Sequence, residues 1–242
     1  MSSLGGPNII TDRLALHLDA ANIKSYPGSG TTWVDKSGNG NNFTLANGPT
    51  YANGVLTFDG TDDKATCVNT TFGNFGTGSF TLEYVVNTSG VGSNIYGVTI
   101  MKRSVTTTIG GANRNGWCDR TQADRFFVQD NNPAGNTAII IQNSYVTPKN
   151  QITHITHVVS KDATGKIASG STYNNGILVA SSSTTFVGNG SVDNGNPTTL
   201  MFSTGELGSL SGKLYVVRAY QKELSPQEVL QNYNATKSRF NL

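Results

Sequence analysis

SGKLYVVRAYQKELSPQEVLQNYNATKSRF, residues 211–240, is a strand run, a turn and a capped helix in one piece. Within it, Lys213–Tyr220 reads as a strand. Ser225-Pro226-Gln227-Glu228 is a capping box with Pro at the first helical position. Val229, Leu230 and Tyr233 then form one apolar stripe, and Lys237 and Arg239 suit the C-terminal end of a helix dipole. The spacing predicts a short helix running to about Thr236 and packing on the edge of a sandwich. The matching block stands at the other end of the chain. LALHLDAANIKSYPGSGTTWVDKSGNGNN (14–42) and LTFDGTDDKA (56–65) are again strand runs tied to specific turns. Together the blocks imply one closed sandwich whose first and last strands meet.

The residues between them are strand after strand. Leu14, Leu16 and Leu18 alternate with Ala15 and His17, the period-2 pattern of a half-buried strand. FTLEYVV places Phe80, Leu82, Tyr84 and Val86 on one face and leaves Glu83 alone on the polar one. Further strands read at 55–58, 65–68, 95–101, 125–129, 137–142, 152–160, 167–173, 177–181 and 198–202. Gly/Asn/Asp/Ser clusters separate them, the signature of a sandwich or barrel. In YNNGILVA, Asn175-Gly176 is the two-residue turn that suits a hairpin. Stretches 104–122 and 188–197 read as long loops. Nothing resembles an interdomain linker, so residues 13–242 form one domain preceded by an N-terminal arm, 1–12.

Composition agrees. The 242 residues include 28 Gly, and charged side chains are only 13% of the chain. Gly and Asn supply the positive φ that tight turns need. A net charge of +2 is too small for a polyanion-binding surface, which argues against nucleic acid. No run approaches the roughly 20 apolar residues of a membrane span. MSSLGGPNIITDRL has no basic or apolar signal region. That favours a protein kept in the cytoplasm until assembly or lysis; a secreted protein whose signal was removed is the alternative. Cys67 and Cys118 read as two thiols. The sequons at Asn42, Asn69, Asn87, Asn189 and Asn234 read as accidents of an Asn/Thr-rich chain.

Several of these blocks resemble the laminin-G-like group of concanavalin A-like sandwiches. LTFDGTDDKATC (56–67) is similar to a strand–turn–strand reading F-D-G-x-x-D-[DY]. ITHITHVVS (152–160) stands where members read W-H-H-V, and TYNNG (172–176) resembles the L-Y-V-N-G hairpin that follows. GKLYVVRAYQKELSPQEVLQNYNA (212–235) resembles the final strand and helix, G-x-I-x-x-V-R-I-Y-x-R-A-L-S-x-x-E-I. The chain departs from the pattern at Ile155, where a Trp is expected, and at Lys64, where Tyr often follows the two acids. The N-terminal block looks like the opening of sandwich modules in structural proteins of tailed bacteriophages and in some secreted bacterial proteins. The resemblance implies an all-β, concanavalin A-like antiparallel jelly roll with one short C-terminal helix. It further implies a virion structural protein, as a capsid decoration, head-fibre or tail-accessory module. Such a protein is made in the host cytoplasm and displayed on the virion surface. Its partners would be other virion proteins or further copies of itself, with a host-surface glycan as ligand. A carbohydrate-binding module of a secreted bacterial protein is the alternative.

Candidate chemistry is sparse. Glycosidases need two carboxylates flanking one bond, and the four Glu (Glu83, Glu206, Glu223, Glu228) show no paired spacing, so no enzyme activity is expected. Asp59, Asp62 and Asp63 in one turn, with Asp35 and Asn39 in another, offer the oxygen ligands calcium takes. The competing reading gives those carboxylates to their own turns' backbone N–H groups. No cofactor is required, and a structural calcium is the one candidate. His154 and His157, an odd step apart on a strand, face opposite ways and cannot share a metal. For a glycan surface, Trp117 inside RNGWCDR is the stacking candidate, with Tyr96, Asn115 and Asp119 beside it; Trp33 reads as a core plug.

Overall fold

The computed structural model describes residues 7–89, 97–103, 116–120, 125–131, 137–183, 192–201 and 209–242. Among these described residues, sixteen strands and one helix are assigned. They are β1 (Leu14–Asp19), β2 (Thr32–Trp33), β3 (Phe43–Ala46), β4 (Thr50–Ala52), β5 (Val55–Asp59), β6 (Lys64–Cys67), β7 (Phe80–Thr88) and β8 (Ile100–Arg103). Then come β9 (Gly116–Arg120), β10 (Arg125–Asn131), β11 (Thr137–Ser144), β12 (Thr153–Lys161), β13 (Ile167–Asn174), β14 (Ile177–Ser183), β15 (Thr199–Leu200), β16 (Ser211–Tyr220) and α1 (Pro226–Phe240).

They build two antiparallel sheets. Sheet I runs β14-β13-β12-β7-β16-β5-β4, with β1 also on β16; sheet II runs β11-β10-β9-β8-β15-β6-β3-β2. The first and last strands meet as expected: Leu16 lies opposite Ala219 and Leu18 opposite Val217. Alternating residues fill the space between the sheets. Leu16, Leu18, Leu56, Phe58, Phe80, Leu82, Tyr84 and Val86 share that core with Trp33 and Phe43 from sheet II. Asn175 and Gly176 both have positive φ, as the hairpin between β13 and β14 requires. Gly60 turns the chain after β5 at φ +81°, with the Ser211 backbone so close that a Cβ would come within 2.8 Å of its nitrogen. The cysteines are free and buried in different apolar clusters; burial pushes the Cys67 thiol up to about 11 and Cys118 to about 12.

Two expectations about α1 need correction. The helix runs to Phe240, beyond Thr236, and Leu230 points outward at 46% exposure. The residues it buries are Val229, Asn232 and Thr236. Two of the three are polar because the sheet beneath them is charged. Glu83 is not alone on a solvated face: it is fully buried, paired with Arg218 Nη1 and bonded by Asn232 Nδ2 at 2.7 Å. His154 Nε2 lies 3.3 Å from it. Asn232 Nδ2 also donates to Tyr220 Oη, and Arg218 approaches Thr236 Oγ1. The capping box forms as predicted: Ser225 Oγ accepts from Glu228 N–H, and Glu228 accepts from Ser225 N–H. The described part of the arm lies along this helix, with Ile10 N–H donating to Asn232 Oδ1 and Asn8 O accepting from Gln231. At the far end, Arg239 pairs with Asp19.

This buried layer makes the fold acid-sensitive. Burial alone would raise the Glu83 carboxyl, but Arg218, His154 and Asn232 outweigh it and hold it at about 2. His17, opposite Arg218 on β1, is lowered to about 4 by burial and by the Arg218 charge. Both folded values lie below the unfolded ones, so the unfolded chain binds more protons as pH falls and stability drops. The loss attributable to His17 spans pH 6.5 to 4, and that to Glu83 spans 4.5 to 2. His17→Gln should flatten the first window and leave the second intact, measured by urea unfolding at stepped pH. An unchanged slope between pH 6.5 and 4 would refute the His17 assignment.

Candidate functional site

The acidic turn between β5 and β6 is the first candidate. Carboxylate oxygens of Asp59, Asp62 and Asp63 lie within 4.8 Å of one another. Asp59 and Asp62 are exposed and Asp63 is buried. Two of the three already have work in the turn: Asp59 Oδ1 accepts from Thr61 N–H at 2.7 Å, and Asp63 Oδ2 accepts from Asp59 N–H at 3.0 Å. The Thr61 bond holds the Asp59 carboxyl below its ordinary value. Burial raises Asp63, and the charges of Asp59 and Asp62 add to that. The carbonyls nearby are taken too, Asp62 O by Asn47 and Thr61 O by Ser209. The three carboxylates are close enough together to share a cation, yet the turn closes through its own hydrogen bonds.

Asp35 and Asn39 do not join that cluster. Asp35 is buried, and its carboxylate accepts from the N–H groups of His17, Ser37 and Asn41 at 2.8–3.0 Å. Asn39 Nδ2 donates to Leu14 O. Both residues brace the 35–42 loop against β1, which is why WVDKSGNGNN needs a carboxylate and amides.

The aromatic candidate is a correction. Trp117 is fully buried on β9, its ring beside Phe75 and Phe80 and its Nε1 donating to Gly73 O at 3.1 Å. GWCDR is a strand whose alternation sends Trp117 and Asp119 inward and Cys118 outward, so Trp117 plugs the core as Trp33 does. Asp119 is equally enclosed. It accepts from the hydroxyls of Tyr84 and Tyr145, and His157 lies 3.7 Å away. Burial and the Asp119 charge push both phenols far up, so they stay protonated donors. Phe126 stacks on the His157 ring, with centroids 4.1 Å apart, which closes the cluster to solvent. Tyr96 and Asn115 lie outside the described residues. The two histidines face opposite ways as expected, His157 into this core cluster and His154 beneath α1.

Sequence reading missed Lys102. It is buried on β8, and its Nζ donates to Thr70 O and Asn196 O, both at 2.6 Å, tying two loops together. Burial lowers this amine to about 8. The flanking Ile100 and Met101 were the only hint of a strand buried on both sides.

Because the acidic turn has its own closing hydrogen bonds, a chelator should leave the thermal midpoint unchanged. Asp63→Asn should lower it equally with and without calcium. A midpoint that falls several degrees on chelation and recovers with millimolar calcium would give the turn a structural metal.

Comparison with known proteins fits this geometry. A family profile described as the Concanavalin A-like lectin/glucanases superfamily (Laminin_G_3) matches residues 59–230. No curated protein matches the chain significantly. Among solved structures, the binding domain of Paraclostridial Mosquitocidal Protein 1 is 16% identical with a TM-score of 0.64, covering 93% of this chain and 52% of that one. Trypanosoma rangeli sialidase in complex with 2,3-difluorosialic acid is 17% identical with a TM-score of 0.61, covering 96% and 34%. Domain 4 of AbnA, a GH43 extracellular arabinanase from Geobacillus stearothermophilus, in complex with arabinotriose, is 15% identical with a TM-score of 0.58, covering 91% and 98%. The chain thus spans about half of the first and a third of the second. At such identities the likeness is one of fold. The profile match over most of the sequence and the two-sheet sandwich agree: this chain belongs to the concanavalin A-like lectin/glucanase superfamily.

Proposed function

We propose that this chain is a non-catalytic glycan-adhesion module and that its carrier is the surface of a tailed-phage particle. One observation carries the first half. Three acids of the two sheets and the helix, Glu83, Asp119 and Glu228, are committed to structure: Glu83 to Arg218, Glu228 to the helix cap and Lys222, Asp119 to two tyrosines. None of them presents the pair of carboxylates that glycoside hydrolysis uses. Glu206 lies outside the described residues. Domain 4 of AbnA, matched over nearly its whole length, was solved with arabinotriose, which supports a sandwich of this size acting as a complete binding unit.

The carrier rests on the N-terminal block's resemblance to phage modules and on one surface feature. Strand β14 ends sheet I, and its Ile177, Leu178 and Val179 are exposed, with Val146 and Leu230 exposed as well. Exposed apolar side chains on a strand with no further partner strand among the described residues are what a neighbouring subunit would cover. In this reading the partners are virion proteins or further copies of the chain. The second reading, a module of a secreted bacterial protein, is favoured by the AbnA domain, itself part of an extracellular enzyme.

Full-length protein on a glycan array should be retained without releasing reducing sugar. Product release would overturn the non-catalytic assignment, and failure to bind any glycan would overturn adhesion. Antibody against the chain should label tailed particles from a lysate of the source strain; label confined to the culture medium would favour the secreted reading.

A further inference from the structure

The outer face of sheet I is divided in two. Helix α1 covers the half that carries Glu83, His154 and Arg218, and it ends at Phe240, whose ring meets Tyr215 at 5.1 Å. Beyond Tyr215 no described residue covers the face, and Lys213 is exposed. There Lys213 on β16 lies opposite Thr57 on β5 and opposite Asn87 on β7. Leu56, Phe58, Val86 and Leu214 point into the core, so alternation turns Thr57, Asn87 and Lys213 outward as one row. With strands about 4.8 Å apart, the row spans roughly 10 Å of rigid sheet, the width of one sugar ring with its substituents.

A cleft of about 220 Å³ opens on this row, with Ser89, Asn150, Ser211 and Gly212 completing its wall. Its rim is held by backbone bonds. Ser89 N–H and Oγ both donate to Ser211 O at 3.2 Å, and Asn150 N–H donates to Thr88 O at 2.7 Å. The groups aimed into the cleft differ from those of the acidic turn. Among the described residues, the Thr57 hydroxyl, the Asn87 and Asn150 amides and the Lys213 ammonium have no side-chain hydrogen bond or ion pair. Among the described residues, no carboxylate lines the space. From the described residues the cleft therefore offers one positive charge, two amides that both donate and accept, and the hydroxyls of Thr57, Ser89 and Ser211.

We propose that this cleft binds a single acidic sugar residue, a uronic or sialic acid, with the sugar carboxylate on Lys213 and its hydroxyls on Asn87, Asn150 and Thr57. The assignment rests on the glycan-adhesion reading and names the ligand class for it. An anionic ligand is selected because the Lys213 ammonium has no counter-ion among the described residues, and a saccharide because one amide on β7 and one in the turn before β12 converge on the same cleft and can each pair with sugar hydroxyls. The site lies on the face that carries the helix. Trp117 and Asp119, the aromatic and acid picked out from sequence, take no part in it.

The experiment is calorimetric titration of the full chain, produced without glycosylation at Asn87, with galacturonate, N-acetylneuraminic acid and galactose. The acidic sugars should bind more tightly than galactose, and less so at high salt. Lys213→Met should weaken the acidic sugars by up to about five-fold, the upper end for a solvent-exposed charge pair, while galactose changes little. Asn87→Ala should weaken all three. Both side chains are on the surface, and an unchanged thermal midpoint will show that the variants fold. Should both variants bind acidic sugars as the wild type does, the cleft is not the site, and array binding that persists in them leaves adhesion standing. Absence of binding to any glycan by the wild type would overturn the cleft and the adhesion reading together.

Discussion

Glu83 and Arg218 meet, both buried, across the adjacent strands β7 and β16 of sheet I, and much of the molecule is arranged around that meeting. Removing a charge from water costs several kcal/mol, and the partner's attraction recovers this only with further hydrogen bonds. Asn232 supplies one from the helix, His154 stands beside the carboxylate from β12, and Thr236 lies near the guanidinium. Helix α1 therefore packs on the sheet through polar residues over the pair as well as through Val229, which joins Val158, Tyr173 and Tyr220 in an apolar cluster. Strand β1 is drawn in as well, since His17 lies opposite Arg218 and Asp19 opposite Val216, where Arg239 reaches back to it. Strand β1 and helix α1 thus meet beside the buried pair and are joined by a second ion pair, Arg239 with Asp19.

The same arrangement sets what the rest of the face can do. A helix anchored over Glu83 ends at Tyr215 and leaves the row Thr57–Lys213–Asn87 uncovered. The inner space is filled by aromatic rings and the Asp119–Tyr84–Tyr145–His157 cluster, which has no solvent contact to offer a ligand. Binding chemistry is then left to the outer surfaces, where amides, hydroxyls and ammonium groups are free to turn toward solvent.

How much of this could be read from sequence follows from the range of each interaction. The strands at 14–18, 80–87 and 152–160, the Asn175-Gly176 turn and the Ser225 cap depend on neighbours within a few residues, and each was legible. Alternation told which side of β7 faces the core, but it says nothing of what lies on the other side. Glu83 looked solvated because the helix that covers it arrives about 140 residues later in the chain. Leu230 looked buried because an apolar stripe was assumed; a helix seated on charge turns Asn232 and Thr236 inward instead. Trp117 looked like a loop residue because Gly and Asn precede it, whereas its pairing with Lys102 and Val128 makes it core. The cleft joins residues 57, 87 and 213 through strand register, a relation that no local pattern records.

A double-mutant cycle on Glu83→Gln and Arg218→Met tests the account most directly, with unfolding free energy from urea denaturation and amide exchange of α1 as readouts. Each single change strands one buried charge and should cost about 3–5 kcal/mol. The double variant should cost clearly less than their sum, and helix exchange should quicken in both singles. Strictly additive losses, with α1 as protected as in the wild type, would show that the helix is held by something other than this pair.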